Sequence, residues 1–122
     1  MKKIVTFLAI LCTNIYVLAE VPKINVQVFN IADAPIYVEI YRGACEDVKE
    51  SIAAGNNHEW WIREKPCSSR VVKIWFPNDI YANVGNIPFS HVIFTAGKDL
   101  AGYYVDQETE SPKKFRRIRA QK

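Results

Sequence analysis

The chain has 122 residues, 49% of them hydrophobic, and 16 lysines and arginines against 13 acids give a net charge of +3. That length allows one domain with a modest core and excludes a large multidomain enzyme. The charge is unevenly placed: the closing KKFRRIRAQK holds six cations and no acid, whereas residues 20–112 hold 8 basic and 13 acidic residues, a net of −5.

The first stretch, MKKIVTFLAILCTNIYVLAE, sets Lys2 and Lys3 before an apolar run from Ile4 to Cys12. Val17 and Ala19 sit where a signal peptidase takes short residues, so residues 1–19 read as a signal peptide cleaved after Ala19. The run is too short to span a bilayer permanently, for which about 20 residues are needed. Leu11 before Cys12 argues against lipid attachment. The lysine-rich start is of the bacterial type and points to the periplasm or the medium. Cleavage removes Cys12 and leaves Cys45 and Cys67, which in an oxidising compartment read as one disulfide. Closing 21 intervening residues, that bridge would contribute roughly 3 kcal/mol in the chain-entropy view.

From Lys23 the pattern has a period of two. In KINVQVFN, Ile24, Val26 and Val28 share one face; in IYVEIYR, Ile36, Val38 and Ile40 do so, with Tyr37, Glu39 and Tyr41 opposite. Two such runs separated by IADAP predict an antiparallel hairpin. CEDVKESIAAG reads two ways. Asp47 and Glu50 form a capping-box pattern for a two-turn helix, while Ser51–Ala54 suits a short strand entering a turn at Gly-Asn-Asn. HEWWIRE and VVKIWF are β-rich in composition. PNDIYANVGNIPF is punctuated by Pro77, Asn78, Gly85 and Pro88 and predicts a loop with at most one short edge strand. HVIFTA, the turn GKD and LAGYYVD predict a last hairpin. From Gln107 on, apolar periodicity ceases, and residues 107–122 read as a disordered basic tail. The whole predicts an all-β domain over 20–106, a small antiparallel β-sandwich or partly open barrel of six or seven strands, with room for one short helix. Several sandwich families share such a pattern, and no stretch singles one out.

Catalytic and metal motifs are weak. His58 and His91 are 33 residues apart, and His58 and Glu59 are neighbours on a strand, pointing to opposite faces; no metal or cofactor is expected. Ser90 and His91 are likewise neighbours, without the third group a hydrolase needs. Glu46, Asp47 and Glu50 read as a solvated acidic loop rather than a glycosidase pair. If Trp60, Ile62, Val72, Ile74 and Phe76 line the core with the other alternating apolar positions, then Phe29, Tyr37, Tyr41, Trp61 and Trp75 face outward. Trp61 then stands between Glu59 and Arg63, and Trp75 beside Lys73. Aromatic rings interleaved with charges suit a glycan or a partner protein, because a flat ring gives large contact area at low entropy cost. The competing reading is that these rings fill cross-strand pairs.

The sequence thus predicts a small exported binding protein using Trp61, Trp75, Tyr37, Tyr41 and Arg63. Lys113, Lys114, Arg116, Arg117 and Arg119 form a tail for an anionic membrane surface, or one that folds back on the acidic body. Nucleic acid is not an expected partner of an exported chain. The alternatives are an envelope hydrolase using His58, Glu59 or His91, or a periplasmic enzyme inhibitor.

Overall fold

A computed structural model describes residues 23–43, 45–63, 71–86, 91–110 and 113–122. The expected signal peptide, Ser90, and Cys67 as the partner expected for Cys45 lie outside the described residues. The elements are β1 Lys23–Asn30, β2 Ile36–Tyr41, β3 Val48–Ile52, β4 Asn57–Arg63, β5 Val71–Phe76, β6 Ile80–Asn86, β7 His91–Asp99, β8 Gly102–Glu110 and β9 Lys113–Arg119, with a 3-10 turn at Pro77–Asp79. They make a five-stranded sheet in the order β4-β1-β7-β8-β9 and a four-stranded sheet in the order β3-β2-β5-β6. Neither closes into a barrel. The all-β expectation holds, with nine strands among the described residues in place of six or seven. Among the described residues no helix is long and apolar enough to cross a membrane.

Alternation explains the core. Ile24, Val26 and Val28 of β1, Val92 and Phe94 of β7 and Val105 of β8 point to one side of the larger sheet. Ile36, Val38 and Ile40 of β2 with Val72, Ile74 and Phe76 of β5 point to one side of the smaller, and all join a single apolar cluster. Burying such side chains contributes about 1.5–3 kcal/mol each. Residues 48–52 form a strand rather than a helix. Ile36 pairs with Ile52 and Ile40 with Val48, so pairing to β2 overrides the local capping pattern.

The hairpin expected between β1 and β2 does not form. β1 lies between β4, antiparallel, and β7, parallel, while β2 lies in the other sheet between β3 and β5. Asn30 stands at the point where the chain crosses over. It is 1% exposed; its amide donates to the carbonyls of Ala34 and Ile52, and its side-chain oxygen accepts from the Ala32 N–H, each at 2.9 Å. One side chain thereby satisfies the backbone groups that the turn leaves unpaired. The hairpin expected at the end does form, although β7 runs through the predicted GKD turn to Asp99.

The predicted disordered tail is another correction. Gln107–Glu110 belongs to β8, and Lys113–Arg119 is β9, paired antiparallel along it. Charge complementarity favours this pairing: Asp106 lies opposite Arg117 and is ion-paired with it at 2.7 Å. After β9 the chain bridges to the other sheet, where Tyr81 and Gln121 exchange two backbone hydrogen bonds of 2.9 Å.

Candidate functional site

The predicted contact residues fall on two separate outer faces. Trp61 is on β4 of the five-stranded sheet, whereas Tyr37 and Tyr41 on β2 and Trp75 on β5 belong to the four-stranded sheet. Since the core-facing sides of the two sheets share one cluster, their outward sides look away from each other. One continuous aromatic face is therefore not formed. Arg63 stands on β4 opposite Lys23; its side chain is outside the described residues.

On the four-stranded sheet the rings are engaged with their neighbours. Tyr37 is paired with Trp75, and Trp75 with Tyr81, one ring on each of three adjacent strands. The Trp75 and Tyr81 rings are 5.0 Å apart at 45°, and the Lys73 ammonium sits 4.6 Å from the first and 4.2 Å from the second. The Trp75 indole N–H and the Tyr41 hydroxyl both donate to Glu39, the latter at 2.9 Å. That bond to Glu39 also raises the Tyr41 hydroxyl above its ordinary pKa. Tyr37 and Trp75 border a shallow depression of about 330 Å³ between Pro35 and Pro77. The Trp75 N–H, the Tyr41 hydroxyl and both Glu39 oxygens are spent inside the network, as the cross-strand reading anticipated.

The outer face of the five-stranded sheet is arranged differently. Trp61 is 63% exposed. Beside it on β1 stand Asn25, opposite both Trp61 and His91, and Gln27, opposite both Glu59 and Ile93. The Gln27 amide donates to Glu59. That bond is the main reason the Glu59 carboxyl stays ionised below its ordinary range, with Asn25, the nearby His91 and Trp61 adding to it. Asn25 is buried in the middle of this group. The result is a protruding indole flanked by a carboxylate held as an acceptor and by two amides. Such a set can stack on an apolar ring face while hydrogen-bonding to hydroxyl groups around its rim.

His58 lies on the opposite face of β4 from Glu59, as alternation requires. Its ring is 4.5 Å from that of Trp60 and its Nδ1 is 3.7 Å from Glu50. The three residues His58, Glu59 and His91 thus do not converge, and among the described residues no group of three metal-ligating side chains does. Strand alternation in β1 could have marked Asn25 and Gln27 as outward-facing. What it could not supply was which strand lies beside them.

The cations of β9 are mostly occupied. Arg117 reaches both carboxylate oxygens of Asp106 at 2.7 and 2.9 Å, and Arg119 both of Asp99 at 2.7 and 2.8 Å. Arg119 chiefly, with Arg117 adding, lowers the Asp99 pKa to about 2. Arg116 donates 2.7 Å to the carbonyl of Val84. There β6 carries an extra residue, since Val72 pairs with Gly85 and Lys73 with Asn83. A bulge releases a backbone group, and Arg116 takes it up. Among the described residues Lys113 and Lys114 have no ion-pair partner; with Phe115 they line a depression of about 430 Å³ beside Glu108 and Thr109.

Compared with known protein families, curated proteins and solved structures, the chain matches none.

Proposed function

We propose that the protein is an exported β-sandwich, stapled by a Cys45–Cys67 disulfide after loss of residues 1–19, that binds a glycan on the outer face of β4 and β1. One observation carries this reading. Trp61 is the exposed ring whose immediate neighbours, Glu59, Gln27 and Asn25, are hydrogen-bonding groups already fixed in place. A pre-oriented rim costs little entropy when a ligand docks. Trp75 is not given this role, because its ring is already engaged by Tyr81 and by the Lys73 ammonium.

The reading is tested by titrating intrinsic fluorescence with bacterial envelope polysaccharides. Wild type and Trp75→Phe should both shift, and Trp61→Ala should not. A flat titration with every polysaccharide removes the glycan and leaves a protein partner, which a pull-down with wild type and Trp61→Ala as baits would identify.

A further inference from the structure

Among the described residues the two sheets have four edge strands, and three are guarded. β9 carries Lys113, Lys114, Arg116, Arg117 and Arg119 and no acid, so any two copies paired along it would oppose like charges. β6 is bridged by Gln121 at Tyr81 and by Arg116 at Val84. β3 has five residues only. β4 is the exception. It has seven residues, NHEWWIR, with neither proline nor lysine, and among the described residues it has β1 on one side and no strand on the other. An edge of this kind is a template for another strand.

The order of residues along β4 says which strand. Glu59, Trp61 and Arg63 follow one another at every second position. When β4 meets its own copy antiparallel about Trp61, Glu59 of each copy stands opposite Arg63 of the other, and the two Trp61 rings face one another. Slipping that register by two residues either way about this centre sets Glu59 against Trp61 or Arg63 against Trp61. Slipping further sets Glu59 against Glu59 or Arg63 against Arg63. Only the Trp61-centred register satisfies both charges and pairs the rings.

We propose that the protein forms a two-fold symmetric dimer by antiparallel β4–β4 pairing centred on Trp61, joining the two five-stranded sheets into one of ten strands. This goes beyond the glycan reading and does not depend on it.

The test is the mass of the purified protein in solution, measured across a concentration series for wild type, Glu59→Arg, Arg63→Glu and the double exchange. Wild type should be dimeric. Each single variant sets like charges opposite one another twice per dimer and should raise the dissociation constant by roughly tenfold or more. The double exchange restores opposite charges and should recover the dimer. Far-UV circular dichroism shows whether each single variant is folded, and recovery in the double exchange separates loss of pairing from loss of fold. A wild type that stays monomeric at every concentration, single variants as dimeric as wild type, or a double exchange no better than the singles would each overturn the proposal. The glycan reading fails separately, through Trp61→Ala in the fluorescence titration.

Discussion

The hydroxyl end of Tyr104 occupies the place where a side chain at Gly97 would go: a Cβ built there falls 2.5 Å from the Tyr104 oxygen and 2.6 Å from the ring carbon bearing it. The two residues are cross-strand partners on β7 and β8, and the Arg117 guanidinium stands 3.9 Å from the centre of the same ring. Glycine is required here by space, with Tyr104 pinned by its neighbours. Gly97→Ala should cost about 1–3 kcal/mol by overpacking. In a Tyr104→Ala background the same change should cost almost nothing. Urea denaturation of the four proteins in the cycle measures the coupling; additivity would mean that Tyr104 gives way freely.

Asn30 ties down the crossover between the sheets with three side-chain hydrogen bonds. Asn30→Ala removes three hydrogen bonds and strands two carbonyls and an N–H, and should destabilise by about 3 kcal/mol. Asn30→Asp keeps the shape but brings an acceptor to face two other acceptors. It should fold less stably than Asn30→Ser above pH 5, a difference visible in thermal melts.

Acid should loosen the end of the larger sheet. Asp99 has a folded pKa of about 2, depressed from 3.8. Its stabilising contribution is therefore complete above the unfolded value and is lost as pH falls from about 4 towards about 2. Over that window at low salt, wild type should lose more stability than Asp99→Asn, as read from the melting temperature. Equal slopes would show that the Arg119 pair contributes nothing measurable, as exposed pairs sometimes do.

The tryptophans should separate by quenching. Trp61→Phe should remove most of the acrylamide-quenchable emission and shift stability by no more than about 0.5 kcal/mol, the usual range for surface positions. Trp75→Phe should leave quenching nearly intact but lower stability by about 1 kcal/mol or more, through the lost bond to Glu39 and the lost Lys73 contact. A large stability loss in Trp61→Phe would mean that its ring is packed rather than presented.

The alternation in KINVQVFN, IYVEIYR and VVKIWF was legible because a strand with one face in the core writes a period of two directly into its residues. Pairing was less so. The hairpin expected for β1 and β2 does not form, because the chain after Asn30 passes to the other sheet; no local pattern declares a parallel partner 66 residues away, as Val26 and Val92 are. The tail was misread for a different reason. Its periodicity is in charge rather than in hydrophobicity: Asp106, Glu108 and Glu110 alternate on β8, and their complement arrives on β9 with Lys113 and Arg117. The Trp61 surroundings were half legible, Glu59 from its own strand, Asn25 and Gln27 only once β1 was known to lie beside it.

The parallel pairing of β1 with β7 sets a timetable for folding. β1, the earliest described strand, becomes an interior strand of its sheet, bordered by β4 on one side and by β7 on the other. A growing or threading chain can offer it β4 once residue 63 has emerged, but must wait for residues 91–96 to fill its second side. Closing so long a loop before any contact rewards it makes the step slow. Until then a strand of seven or eight residues stands open along one side, and whatever accompanies the chain through that interval must keep it from finding another strand first.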